Sequence, residues 1–191
     1  MRHFLIMSLS KIKSSCYAHS RKSFRGSAIM PELADALIVI DMQKALQYSY
    51  NFNGLVHNIN DRISQYRQSN KPIIFIQHND QDVVRGSDLW QLSGKLDKQK
   101  EDIVVEKFHP NAFYQTNLNK VLMQKSVRSI ELCGAQTEYC CNATIVMAHG
   151  LGYKIFMEHD MTTTFDNDYM IAEDTISFFE NIWNQRFVTF Q

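Results

Sequence analysis

The chain has 191 residues, 45% of them hydrophobic and 12% aromatic, with 20 Lys+Arg balanced by 20 Asp+Glu, 7 Gly, 3 Pro and 4 Cys. That length suits one domain with its own core, and the composition excludes a disordered, collagen-like or disulfide-stapled chain. No apolar run approaches the roughly 18–20 residues that a spanning helix needs, so no membrane partner is expected.

The neutral total hides an asymmetry. Residues 1–30 carry Arg2, Lys11, Lys13, Arg21, Lys22 and Arg25, seven Ser and no acid. This stretch reads as a basic, disordered extension to a domain at 31–191, and three readings of it stay open. It is an organellar transit peptide, the product of translation from upstream of a true start at Met30-Pro31, or simply a disordered basic tail. The rest of the chain holds 14 basic and 20 acidic residues, and a mildly acidic body offers no basic face to nucleic acid. Cys16 lies in the extension, while Cys133, Cys140 and Cys141 are close in sequence. Adjacent cysteines close only a strained ring, so reduced thiols are expected. That points to the cytoplasm, or to an organelle if the extension is a transit peptide.

In chain order, Ala36 to Asp41 is an apolar run ending in an acid, the pattern of a strand buried on both faces of a parallel sheet. Leu55, Ile59, Ile63 and Tyr66 have helical spacing, and the helix over 55–69 stops at Asn70-Lys-Pro72. Pro72 to His78 repeats the strand signature. Residues 79–101 form one long polar connection, and long loops inside compact domains tend to be functional. A third strand follows at 102–107, a short helix at 116–125 and a fourth strand at 129–133. A helix over 140–149 is closed by Gly150 and Gly152, a fifth strand covers 153–157, a helix 169–182, and a last strand 186–190. Alternating strands and helices predict an α/β, three-layer, Rossmann-like fold. Its sheet would be about six-stranded and mostly parallel, with helices on both faces.

In open α/β sheets ligands sit beyond the carboxyl ends of the strands. Those ends place Asp41, His78, Lys107 and Cys140 around one crevice. At a helix N-terminus, free N–H groups and the helix dipole would favour a Cys140 thiolate and hold an oxyanion. Asp41 could take the thiol proton and Lys107 could support the negative charge. Each residue has a plainer reading, namely a core cysteine, a helix cap and a solvated lysine.

A longer pattern surrounds these residues. Asp41-Met-Gln43 follows the first strand, then Val105-Glu-Lys107, Asn111-Ala-Phe113 and Thr116-Asn-Leu118. Cys133-Gly-Ala-Gln-Thr-Glu-Tyr-Cys140, Ala143-Thr144 and Ala148 to Tyr153 complete it. In order and spacing, over about residues 35–165, this resembles the isochorismatase-like cysteine hydrolases. The resemblance implies a catalytic triad of Asp41, Lys107 and Cys140, with Cys141 a small core residue where the family usually carries Val. It also implies a cis peptide at Ala135-Gln136, which would aim the Gln136 N–H, with that of Cys140, into an oxyanion hole.

The implied reaction is hydrolysis of a C–N bond in a small amide, carbamoyl or ureido substrate. No cofactor is implied, and assembly as a homodimer or homotetramer is. Nicotinamidase members bind a metal through a DxH-type motif. Here strand two ends in Gln77-His-Asn-Asp80, the wrong pattern, so no metal is expected. The wording is closer to the branch that includes streptothricin hydrolase-like enzymes. Gln43, His78, Trp90, Phe113 and Tyr139 are the expected pocket residues. Three other readings stay in view: a vinyl-ether hydrolase of the isochorismate type, a Cys-His enzyme using His78 or His149, and a non-catalytic binding module.

Overall fold

Residues 33–191 are described by a computed structural model, and the extension expected at 1–30 lies outside the described residues. The elements are β1 (Ala36–Ile40), α1 (Phe52–Gln68), β2 (Ile73–His78), β3 (Ile103–Lys107), α2 (Leu118–Gln124), β4 (Ser129–Ala135), α3 (Asn142–Gly150), β5 (Lys154–Met157), β6 (Thr162–Thr163), α4 (Ala172–Trp183) and β7 (Thr189–Phe190). All five residues of β1 are buried. Successive side chains of a strand point to opposite faces, so β1 is covered on both.

The sheet order is β3-β2-β1-β4-β5-β7, with β6 paired to β4, and every named pair is parallel. The chain starts in the middle, moves outward through β2 and β3, then returns to the other side of β1 at β4. The order therefore reverses between β1 and β4, and a crevice opens there at the carboxyl ends. Register aligns those ends, because Ile40 lies opposite both Ile76 of β2 and Gly134 of β4. Gly134 is obligatory at this junction. Its φ is +124°, and a Cβ there would stand 2.1 Å from the Ile40 carbonyl oxygen.

The α/β class, the parallel sheet and the apolar face of α1 match the reading of the sequence, and the differences have local causes. There are seven strands among the described residues; β6 has only two residues, too few to show a period. The final strand shrinks to Thr189–Phe190. The last helix begins at Ala172 instead of Tyr169. The Asn167 side chain accepts the N–H groups of Tyr169 and Met170 at 2.9 and 3.1 Å, and Asp166 accepts that of Ala172 at 2.8 Å. These local bonds offer the backbone an alternative to the helix. The strand expected at 129–133 runs on to Ala135, and Thr137–Cys141 is a π-helical turn ahead of α3.

One polar feature ties α1 to the sheet. Arg62 Nε donates to Glu131 Oε1 at 2.6 Å, Arg62 Nη2 donates to Glu131 Oε2, and the Tyr66 hydroxyl donates to the same Oε2 at 2.8 Å. Arg62 and Glu131 are both buried. Glu131 on β4 breaks the apolar reading of that strand and is tolerated because all three donors converge on it. Arg62→Met would preserve the apolar stem but strand the buried carboxylate. The expected cost is about 3–5 kcal/mol, read as a lower urea midpoint with an unchanged denaturant slope.

Candidate active site

Asp41 follows β1 directly with φ +48°, a left-handed conformation that Asp tolerates better than most residues. Lys107 ends β3, two strands away, with its side chain completely buried. Its ammonium reaches Asp41 Oδ2 at 2.6 Å, His78 Nδ1 at 2.9 Å and Cys140 Sγ at 3.2 Å. Side chains from four strand ends, at positions 41, 78, 107 and 140, thus meet around one nitrogen.

Burial works against the Lys107 charge, but its interactions with Asp41 first and then Cys140 outweigh it and raise the lysine pKa above its ordinary value. Burial first, then the Asp41 charge, push the Cys140 thiol up to about 12 against the opposing pull of Lys107. The surroundings thus favour the thiol form of Cys140 and the charged form of Lys107. Cys140 lies in the π-helical turn before α3, and its surroundings are set by burial and by Asp41 more than by a helix end. The second carboxylate oxygen, Asp41 Oδ1, is buried and has no hydrogen-bond partner among the described residues.

The turn carrying Cys140 is pinned from outside. Cys141 N–H donates to the Gln136 carbonyl at 3.0 Å, Thr137 Oγ1 to Thr162 Oγ1 at 3.0 Å, and Thr164 Oγ1 to Glu138 Oε1 at 2.8 Å. The Ala135-Gln136 peptide is cis. A cavity of about 170 Å³ opens onto these groups, lined by Asp41, Gln43, Ala45, Leu46, His78, Asp80, Val83, Gln136 and Cys140. A larger cleft of about 600 Å³, at Asp35, Ser129, Tyr153 and Lys154, lies at the opposite, amino-terminal ends of the strands.

The expected pocket residues divide. Gln43 and His78 line the cavity, but the Gln43 amide is spent on structure. Its Nε2 donates to the His78 and Trp90 carbonyls at 3.0 and 2.8 Å, and its Oε1 accepts the His78 N–H at 2.8 Å. Trp90 is outside the lining; its carbonyl anchors the long loop by also accepting Gln77 Nε2 at 2.8 Å. The structure does not bring Phe113 to the cavity. Its ring stacks on that of Tyr153, just ahead of β5, at 5.9 Å, and this apolar contact holds it in the core. Tyr139 is 56% exposed and faces outward from the turn. Ala45, Leu46 and Val83 were not anticipated, although Ala45 and Leu46 follow the β1 end so closely that the strand-end rule reaches them.

Among the described residues no group of three or more His, Cys, Asp or Glu is placed to hold a metal ion. His78 and Asp80 do not fit one either, since His78 Nε2 is 2.9 Å from Asp80 Oδ2 and its other nitrogen meets Lys107. His149, on α3, packs its ring against Phe187 and takes no part in the site.

An open parallel sheet whose switch point joins a cysteine, a carboxylate and a buried ammonium defines a cysteine-centred α/β site. The chain belongs to the isochorismatase family: the Isochorismatase domain matches residues 35–178. It is similar to Nicotinamidase 3 of Arabidopsis thaliana, with 27% identity over 70% of this chain and 75% of that protein. Streptothricin hydrolase of Streptomyces noursei is 24% identical over 73% of this chain and 58% of that one. The crystal structure of an isochorismatase family protein superposes with a TM-score of 0.80 at 46% identity, covering 82% of this chain and 96% of the other.

The electrostatics of the site predict two opposite shifts. Asp41→Asn removes the charge that raises the thiol and keeps Lys107, so the pH midpoint for iodoacetamide labelling of Cys140 falls and labelling at pH 7 accelerates. Lys107→Met removes the stabilising cation and moves the midpoint upward. Intact-mass spectrometry follows the modification. Cys133 and Cys141 are completely buried, and burial raises both thiols, so they label more slowly. An unmoved midpoint in Asp41→Asn would mean that the carboxylate does not govern the sulfur.

Proposed function

We propose that the protein is a cysteine hydrolase that cleaves a C–N bond in a small amide, carbamoyl or ureido substrate. The observation that carries this reading is the buried Asp41 Oδ1, which has no partner among the described residues and shares a cavity with Cys140, while the other carboxylate oxygen is held by Lys107. A buried acceptor without a donor is costly, and in a native site it calls for a role. Here that role is to receive the thiol proton.

Cys140 Sγ attacks the substrate carbonyl as its proton passes to Asp41, so the net charge of the site does not change. The tetrahedral oxyanion is held by the backbone N–H groups of Gln136 and Cys140. Asp41 returns the proton to the departing nitrogen as the C–N bond breaks, which releases ammonia or an amine and leaves an acyl thioester on Cys140. Water then loses a proton to Asp41, attacks the thioester, and the acid product leaves as the thiol reforms. Lys107 touches no substrate atom in this scheme. Its charge holds Asp41 and the sulfur together.

The lining of the cavity also speaks to the substrate. It contains the carboxylates Asp41 and Asp80, and Lys107 is already engaged by three partners. The nearby cations pair elsewhere, Arg85 with Glu106 at 2.9 Å and Lys44 with Asp88 at 2.6 Å. A substrate bearing a carboxylate next to the reacting carbon would meet no free cation among the described residues, which favours a neutral amide over the dicarboxylate of an isochorismate-type reaction. The relatives' names, nicotinamidase and streptothricin hydrolase, support amide chemistry. Self-association as a homodimer or homotetramer belongs to the same reading and is measurable by light scattering.

Ammonia release from a panel of small amides, carbamoyl compounds and ureides tests the proposal. Release is expected for at least one neutral member, is abolished in Cys140→Ala, and falls by about 10²–10⁴-fold in Asp41→Asn. Neutral amides should exceed carboxylate-bearing analogues of equal size in kcat/KM. Activity that survives Cys140→Ala, or turnover of a vinyl ether in place of amides, would overturn the thioester route.

A further inference from the structure

An ammonium group has three protons, and all three directions around Lys107 Nζ are filled, by Asp41 Oδ2 at 2.6 Å, His78 Nδ1 at 2.9 Å and Cys140 Sγ at 3.2 Å. An ammonium can only donate, so His78 Nδ1 must present its lone pair. The single ring proton then sits on Nε2, 2.9 Å from Asp80 Oδ2. Asp80 is held in turn, because its Oδ1 accepts the backbone N–H groups of Asp82 and Val83 at 2.9 and 2.7 Å. Burial opposes the Asp80 charge, but the bonds from Val83, His78 and Asp82 outweigh it and keep the carboxyl below its usual range. Register completes the arrangement: His78 of β2 is paired with Lys107 of β3, and the Asn79 N–H donates to the Lys107 carbonyl at 2.9 Å.

We infer that His78 and Asp80 form a positioning pair that fixes Lys107 Nζ between Asp41 and Cys140, so that the lysine serves both groups at once. The inference rests on the reading of Cys140 as nucleophile. Its physical basis is a competition among acceptors. The carboxylate is the strongest partner of the ammonium and a neutral sulfur the weakest, so an ammonium with only these two would move toward Asp41. The imidazole lone pair occupies the third direction and blocks that shift, and Asp80 keeps the lone pair on the correct nitrogen by taking the Nε2 proton. An Nδ1–H tautomer would set a donor against a donor. The loop backbone at Asp82 and Val83 thus controls the sulfur through three successive hydrogen-bonded groups. His78 lines the cavity, yet both of its ring nitrogens are committed to this chain, so it is not expected to anchor substrate.

His78→Leu and His78→Asn separate the possibilities. Leucine fills the space without an acceptor, whereas asparagine places its Oδ1 close to where Nδ1 lies and can still accept from Lys107. His78→Leu is expected to lower kcat by about tenfold or more, the scale of a hydrogen bond to a charged group, with KM changed less than about twofold. It also raises the pH midpoint of Cys140 labelling by iodoacetamide. His78→Asn recovers most of both quantities. Asp80→Ala, which leaves the ring in place but frees its tautomer, shifts the labelling midpoint in the same direction by a smaller amount.

Equal losses in both His78 variants through a raised KM, with the labelling midpoint unmoved, would make His78 a substrate contact and overturn the inference. Wild-type behaviour of His78→Leu would overturn it as well. Labelling requires no substrate. It therefore still decides the role of His78 if the amide panel shows no turnover, and failure of the hydrolase reading is distinguishable from failure of this one.

Discussion

A full positive charge inside an α/β core is the constraint around which this molecule is organised. Lys107 is completely buried at the end of β3, where an unpaired ammonium would be prohibitively costly. It is tolerated because Asp41, His78 and Cys140 arrive from three other strand ends to meet it. Each can arrive only if β1, β2, β3 and β4 end at the same height, which the pairing of Ile40 with Ile76 and Gly134, and of His78 with Lys107, secures. A slip of one residue in any of these pairs would turn one partner to the other face of the sheet.

The protein contains a second buried charge cluster, and the contrast between the two is instructive. Around Glu131 both carboxylate oxygens are engaged, by two nitrogens of Arg62 and by the Tyr66 hydroxyl, and Arg62 also meets Glu158 at 2.9 Å. That cluster clamps α1 onto the sheet and has no capacity left for chemistry. The Lys107 cluster leaves Asp41 Oδ1 without a partner at the floor of a cavity. Two engaged carboxylate oxygens mark the structural cluster, and one open oxygen marks the reactive one.

Much of the surrounding polar sequence builds the walls of the site. The amides of Gln43 and Gln77 converge on the Trp90 carbonyl, and the Lys44 and Ala45 N–H groups donate to the Gln91 and Leu89 carbonyls, stitching the long loop to the β1 end. Thr162, Thr163 and Thr164, all buried, brace the turn that carries Cys140 and the segment at Tyr50. Trp183 Nε1 donates to Asn142 at 3.0 Å and fixes the last helix to the start of α3.

The sequence by itself determined the α/β class, the apolar strands, the face of α1 and the candidate trio Asp41, Lys107 and Cys140. These follow from strong periodicities, from the rule that ligands sit at carboxyl strand ends, and from motif order along one stretch of chain. Only the tertiary structure decided how the site is wired, because hydrogen-bond partners depend on which atoms strand register brings within 3 Å. It turned Gln43 from a substrate contact into a brace, moved Phe113 into the core against Tyr153, and left Tyr139 facing outward. It joined Arg62 to Glu131 across 69 positions of sequence. It also set the surroundings of the Cys140 thiol, which burial and Asp41 push up, because both depend on three-dimensional neighbours that no local spacing encodes.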